Sequence, residues 1–346
     1  MANLTLDTLE AVIAEQLRQK PFSGVIHISY QASPIFSHAY GLANRSDNLP
    51  NRLNTRFGIA SGGKIFTATA ILQLVSEGLL TLNQPLSEVI SDLPPNLDNT
   101  ITIEQLLTHT SGIPDYFDEE TESDYETCWK QKPVYRMRSP ADFLDFIIGK
   151  PMKFSPGERF AYSNMGFVLL GWVIEKITGK RFQEYIEEKI FGPAWMRSSG
   201  YFSSDKLPES CATGYILEDD NNWRANIFSI PVVGHGDGGV YTTAADIGRF
   251  WKALLGKTYF NEEVLTQMTT TRVRVSPKSN HYYGYGVWIN ELVGEKCISI
   301  VGEDPGVEFS SEFYPDSNLQ ITLMANTNGA LWDLAKTIRT EVFGLE

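Results

Sequence analysis

Val307-Glu-Phe-Ser-Ser-Glu-Phe-Tyr314 and Leu319-Gln-Ile-Thr-Leu-Met-Ala325, joined across Asp316-Ser317-Asn318, decide the fold. Both runs are rich in apolar, β-branched and aromatic residues, and the polar triplet supplies turn chemistry, so they read as consecutive strands. Two more strand-like runs, 283–289 and 296–301, precede them, and a helical pattern over 330–343 follows. At the other end of the chain Leu6, Leu9, Val12, Ile13 and Leu17 recur at helical spacing. Apolar runs over 25–30 and 35–40, separated by Gln31-Ala-Ser-Pro34, then read as an antiparallel hairpin. Between the ends the pattern is helical: 64–77 stopped by Gly78, 103–107 opened by the capping sequence Thr102-Ile-Glu-Gln105, and 165–178 stopped by Gly179. Strand and helix signals are thus segregated. This predicts an α+β architecture in which 1–60 and 255–346 form an antiparallel sheet flanked by N- and C-terminal helices. A mainly helical region over 61–254 is inserted, with a cleft at the junction. The acidic stretch 115–124 reads as a solvated surface loop.

With 346 residues, 42% of them hydrophobic, the chain can bury a large core. Lys and Arg total 29 against 42 Asp and Glu, a net charge of −13, which repels phosphate backbones and anionic lipid and excludes nucleic acid as a partner. Cys128, Cys211 and Cys297 are odd in number and scattered, so neither a disulfide framework nor a zinc site is indicated. The N-terminus lacks the features of a signal peptide, and no apolar run approaches the ~20 residues of a membrane span, so the expected location is cytoplasmic unless a leader precedes the chain. The expected partner is a small-molecule or peptide-like substrate; the oligomeric state is not legible.

G-x-S-x-G, H-E-x-x-H and G-x-x-x-x-G-K-[ST] motifs are missing. Gly234-His-Gly-Asp-Gly-Gly239 satisfies G-x-G-x-x-G, but no β-α-β units surround it, and a tight backbone turn is the expected reading. Ser61-Gly-Gly-Lys64 is an S-x-x-K motif, as is Ser203-Ser-Asp-Lys206. Ser61 opens a long apolar helix pattern, whereas Ser203 lies in a serine-rich loop. At a helix start Lys64 sits one turn beyond Ser61 and shares its face. Burial and the helix N-terminus disfavour the ammonium form there, so a neutral amine can accept the serine proton. The backbone N–H of Ser61 would be one oxyanion donor. The plainer reading makes Ser61 an N-cap and Lys64 a surface residue. Downstream, Tyr162-Ser-Asn164 precedes the helix near Met165, a place suited to presenting polar groups into a cleft; a second Y-x-N, Tyr259-Phe-Asn261, lies in a polar connection. Tyr162 as a packing residue and Asn164 as an N-cap are the alternatives.

Together with Ile103-Glu-Gln-Leu-Leu-Thr-His-Thr-Ser-Gly-Ile-Pro114, Gly238-Gly-Val-Tyr-Thr-Thr-Ala-Ala-Asp246 and Tyr283-Gly-Tyr-Gly-Val-Trp288, these motifs carry a resemblance. The chain resembles the penicillin-recognising serine hydrolases (serine β-lactamases and penicillin-binding proteins), most closely the class C β-lactamase, esterase and D-aminopeptidase branch. The resemblance implies a β-lactamase/transpeptidase-like fold and an acyl-enzyme mechanism on an ester, amide or lactam, with no metal or organic cofactor. It makes Ser61 the nucleophile, Lys64 and Tyr162 the proton-handling pair, and Asn164 a partner to substrate or Lys64. One landmark departs. Where the family carries Lys-Thr-Gly or His-x-Gly, the chain reads Ile300-Val-Gly302. The glycine is kept and the N–H of Glu303 is placed as second oxyanion donor, but the cation next to the substrate carboxylate is gone. Lys296 is about 13 Å away along the strand, at roughly 3.3 Å per residue; His109, His235 and His281 are the other candidates. Ile300, Gly302 and Glu303 therefore join the substrate-binding set, and neutral or amine-bearing substrates are expected over carboxylate β-lactams. The rival reading is a family member that has lost catalysis and serves as a binding or regulatory module.

Overall fold

The computed structural model describes residues 6–130, 132–219 and 222–344; the first residues of the opening segment, 1–5, lie outside it. The chain opens with α1 (Leu6–Gln19) and the hairpin β1 (Gly24–Tyr30) and β2 (Ser33–Tyr40), then crosses β3 (Leu42–Asn44), β4 (Leu49–Pro50) and β5 (Phe57–Gly58). The helices α2 (Lys64–Ser76), α3 (Leu86–Val89), α4 (Ile103–Leu107), α5 (Asn164–Thr178) and α6 (Phe182–Ile186) follow. Next come β6 (Tyr215–Asp219), β7 (Asn222–Ala225), β8 (Tyr241–Thr242), α7 (Ala244–Leu255) and α8 (Glu262–Thr269). The last strands are β9 (Val273–Arg274), β10 (His281–Tyr283), β11 (Trp288–Leu292), β12 (Glu295–Asp304), β13 (Val307–Tyr314) and β14 (Leu319–Ala325), and α9 (Leu331–Phe343) closes the chain.

Eight strands form one sheet in the order β2-β1-β14-β13-β12-β11-β10-β9. The chain ends meet one strand in from the β2 edge, where β1 runs antiparallel to β14 from Gly24↔Ala325 to Tyr30↔Leu319. The period of two sorts side chains onto two faces. Ile26 and Ile28 of β1 and Ile321 and Leu323 of β14 pack under Leu9 and Ile13 of α1 and Leu334 and Ile338 of α9. The alternate residues Val25, Met324, Ile298, Ile300 and Phe309 join the larger core around α2 and α5. α2 and α5 are apolar on nearly every side, as their near-complete burial requires. α7 lies against the sheet, where its Trp251 Nε1 donates to Ser311 Oγ of β13 at 2.9 Å.

Two expectations are corrected. Residues 283–289 are not one strand but β10, a turn and β11, with Tyr283 and Trp288 as cross-strand partners. Gly284 N–H bonds the Val287 carbonyl at 2.9 Å, and Gly286 turns at φ +74°. A Cβ at Gly286 would fall 2.5 Å from that of Ala68, so the chain leaves the strand to let α2 pack. The acidic stretch 115–124 is not a solvated loop throughout: Asp115, Tyr116 and Phe117 are buried, and Glu119, Glu122 and Asp124 line a cavity.

Candidate active site

Ser61 rides on a turn fixed from three sides. β5 pairs with β8 through Phe57↔Thr242 and Gly58↔Tyr241, and Ile59 N–H extends the pairing to Val240 O at 3.1 Å. Ala60 then takes φ +47°, a conformation that costs a residue with a Cβ of order 1 kcal/mol and persists only when its surroundings hold it. A 3₁₀ turn over Ala60–Gly63 carries Ser61, and the α-helix proper begins at Lys64, where the 64–77 pattern places it. On one side the turn meets Gly238, where a Cβ would lie 2.6 Å from Ala60 O. On another it meets Gly302 of β12, where a Cβ would lie 2.1 Å from Ile59 O and 2.9 Å from Ser61 N. The glycine anticipated for approach to a ligand thus serves approach of the strand to this turn.

Lys64 is 2% exposed, so the surface reading fails. Its Nζ lies 2.9 Å from Ser61 Oγ, 2.7 Å from Asn164 Oδ1 and 2.7 Å from the carbonyl oxygen of Asp237. Burial lowers its pKa from the usual lysine value; the carboxylates of Asp237, Glu119, Asp115 and Asp304 oppose that shift. In the neutral amine two N–H groups satisfy Asn164 and Asp237, and the lone pair faces the Ser61 hydroxyl. The Tyr162 ring centroid is 4.9 Å from Nζ. Burial, then the charge of Glu119, holds its phenol well above the usual tyrosine range, while a hydrogen bond with Ser61 works the other way. Asn164 does not cap α5. That role falls to Ser163, whose Oγ accepts from Gly166 N–H at 3.1 Å.

Ile300 is not brought to the cleft: it is 1% exposed and packed in the core, because it shares a strand face with Gly302 and that face lies against α2 and the Ser61 turn. Gly302 and Glu303 do reach the cleft, and Glu303 Oε2 accepts from Trp332 Nε1 at 3.2 Å. β11 pairs with β12 only as far as Ser299, so the edge of residues 300–304 on that side has no strand partner among the described residues. The three histidines named as substitutes for the expected cation are placed as follows. His109 is buried with its ring 4.4 Å from that of Tyr162, and burial followed by the Lys64 charge pushes its pKa well down. His235 is buried and shifted down by burial; His281 is exposed and bonds Asn290. Lys296 donates to Thr269 O at 2.8 Å. The duplicate motifs are structural: Ser203 Oγ donates to Asp205, Tyr259 OH donates to Ile190 O, and Asn261 caps α8. In the 234–239 loop Thr67 Oγ1 donates to Gly236 O at 2.7 Å, and a Cβ at Gly236 would lie 2.0 Å from Phe167 O. These glycines let the loop wedge between α2 and α5; β8, not a helix N-terminus, follows.

Sequence reasoning missed Asp237, which acts on Lys64 through its carbonyl and so leaves no side-chain signature. It also missed Asp115 and Tyr116, which directly follow the quoted run ending at Pro114. Two cavities meet at Ser61, of about 570 and 440 Å³. Glu119 and Glu303 line both; the larger adds Asn164, Asp237 and Asp304, and the smaller Tyr162, Trp288 and Trp332. Burial and then the nearby Asp237 push the Asp304 carboxyl up to about 8. The guanidinium on the larger cavity, Arg224, is already paired with Glu126 and Glu218. No group of three or more potential metal ligands occurs among the described residues.

A family model described as Beta-lactamase matches residues 9–343. The crystal structure of a penicillin-binding protein from Bacillus halodurans superposes with a TM-score of 0.89 at 43% identity, covering 95% of this chain and 99% of that one. A D-stereospecific amidohydrolase from Streptomyces superposes at 0.80 with 26% identity over 97% of this chain and 99% of that one. Penicillin-binding protein 4* of Bacillus subtilis is 26% identical over 93% of this chain and 71% of its own length.

Proposed function

This chain belongs to the Beta-lactamase family of serine hydrolases, and from that membership we propose an acyl-enzyme mechanism centred on Ser61. Ser61 Oγ attacks the carbonyl carbon of an ester, amide or lactam while its proton passes to the Lys64 amine. The backbone N–H groups of Ser61 and Glu303 receive the developing oxyanion. Tyr162, which burial keeps protonated, hands a proton to the leaving group as the C–O or C–N bond breaks and is reprotonated from Lys64. Water then attacks the ester on Ser61 with Lys64 again as base, releasing the acid and restoring the hydroxyl. The observation that carries this reading is the three-way contact of Lys64 Nζ with Ser61, Asn164 and Asp237. A purely binding module has no use for a desolvated amine aimed at a hydroxyl.

The preferred substrate carries no carboxylate and bears a free amine, as in an amino-acid amide or ester. Asp237 and Glu119 border the larger cavity; Asp304 beside them, its carboxyl pushed up to about 8 and without a hydrogen-bond partner among the described residues, is poised to ionise against an incoming ammonium. An ammonium gains from this field, and a carboxylate is repelled. Incubation with a fluorophosphonate followed by peptide mass spectrometry should place the adduct on Ser61. Comparison of kcat/KM for a neutral ester, an amine-bearing amide and a carboxylate β-lactam should rank the lactam last. Efficient lactam turnover would reject the substrate reading; a labelled protein without adduct on Ser61 would reject the mechanism.

A further inference from the structure

The segment His109-Thr-Ser-Gly-Ile-Pro-Asp-Tyr116 lies outside the Ser61, Lys64 and Tyr162 set, yet its last two side chains control both fixed acceptors of the Lys64 amine. Asp115 is buried. Its Oδ2 accepts from Asn164 N–H at 2.6 Å, and its Oδ1 accepts from Met165 N–H at 3.1 Å and from Tyr116 N–H at 2.7 Å. The carboxyl group therefore occupies the first two orphan N–H groups of α5, with Ser163 taking the third. That fixes the backbone of Asn164, whose Oδ1 holds Lys64 Nζ at 2.7 Å. Tyr116 works on the other acceptor. Its hydroxyl donates to Asp237 Oδ2 at 2.6 Å, and the carbonyl of the same Asp237 accepts from Lys64 Nζ at 2.7 Å.

We propose that Asp115 and Tyr116 are positioning residues that aim the Lys64 lone pair at Ser61 by fixing the two groups that receive its N–H bonds. The proposal rests on the acyl-enzyme reading. A neutral amine has two N–H bonds and one lone pair, so two fixed acceptors determine where the lone pair points. If either acceptor drifts, the amine rotates about Cε–Nζ and the lone pair leaves the Ser61 hydroxyl. The loss falls on the rate of proton transfer, which depends steeply on geometry, while the walls that bind substrate stay in place. Simple helix capping predicts something different: a loss of stability with unaltered kinetics.

The test is saturation labelling of the full chain with a fluorophosphonate, which separates the limiting first-order rate from the half-saturating concentration. Asp115→Asn keeps the shape but turns an amide NH₂ towards a helix N–H. Tyr116→Phe keeps the ring and removes the hydroxyl. Each should lower the limiting rate at least tenfold and leave half-saturation within twofold. Asn261→Ala is the control: it removes the cap that accepts from Val264 N–H at the start of α8. It should lower the thermal midpoint and leave both kinetic quantities at parent values. A parent-like limiting rate in Asp115→Asn overturns the proposal, as does a loss confined to half-saturation, or an equal slowing in Asn261→Ala. If Asp115→Asn does not fold, Tyr116→Phe decides, and a parent-like rate there overturns it. A parent that is not labelled on Ser61 overturns the acyl-enzyme reading and this inference with it; a labelled parent with unaltered variants overturns the positioning role alone.

Discussion

Gly302→Ala adds a single methyl group, and the structure says where it goes. The new Cβ would lie 2.1 Å from Ile59 O, 2.6 Å from Gly62 N and 2.9 Å from Ser61 N, all backbone atoms of the turn that carries Ser61. Ordinary contact begins at 3.4 Å, so against Ile59 O the strand and the turn must part by 3.4 − 2.1 = 1.3 Å. Neither side yields easily, because β12 is paired to β13 through Gly302↔Phe309 and the turn is held by β5 and β8. Overpacking of this kind costs about 3 kcal/mol, the upper end of the usual range, since the obstacle is backbone and not the tip of a side chain. The same displacement separates the Ser61 N–H from the Glu303 N–H and moves Oγ relative to Lys64. A misplacement of about 1 Å at a reacting centre lowers the rate on the order of 10²-fold. Thermal unfolding and the fluorophosphonate labelling rate read the two effects. Gly248→Ala is the matched control: the site lies within α7, its nearest neighbour to a new Cβ is Gln320 Oε1 at 3.8 Å, and the change should stabilise by about 1 kcal/mol. A Gly302→Ala protein with the parent's midpoint and labelling rate would show that the strand does not brace the turn.

Ser61→Ala should abolish labelling and Ser203→Ala should leave it intact, as read by gel fluorescence. Lys64→Ala and Tyr162→Phe should each slow acylation by roughly 10² to 10⁴, with the double variant losing less than the sum of the two activation free energies; full additivity would mean that the residues act independently. Asp304 makes a prediction about stability. Its folded pKa of about 8 stands above an unfolded value of ~3.9, so the native state holds the extra proton between these limits. Its contribution is full below the unfolded value and is lost as pH rises through about 8. Thermal midpoints between pH 6 and 9 should therefore fall less steeply in Asp304→Asn than in the parent, and parallel curves would contradict the assignment.

The antiparallel sheet, the terminal helices and the helical middle were legible because each rests on local periodicity that burial enforces. Leu9 and Ile13 must share a helix face, and Ile321 and Leu323 a strand face, in order to meet in one layer. The pairing of Ser61 with Lys64 was legible for the same reason, since one helical turn brings i and i+3 together in any fold. Contacts that join distant segments were not legible. The Asp237 carbonyl lies 173 residues from Lys64 in sequence and bonds it through an atom that every residue type carries. Tyr283 to Ile289 has the composition of a strand, and only the need to admit Ala68 of α2 breaks it at Gly286. Ile300 was expected in the substrate-binding set, but the close approach of Gly302 to the Ser61 turn puts that face of β12 in the core. The sequence by itself determined which elements form and which residues carry reactive groups, because those depend on neighbours within a turn or a strand. Tertiary structure alone decided which backbone groups aim those residues and which faces open to the cleft, because long-range packing selects among surfaces that local periodicity leaves equivalent.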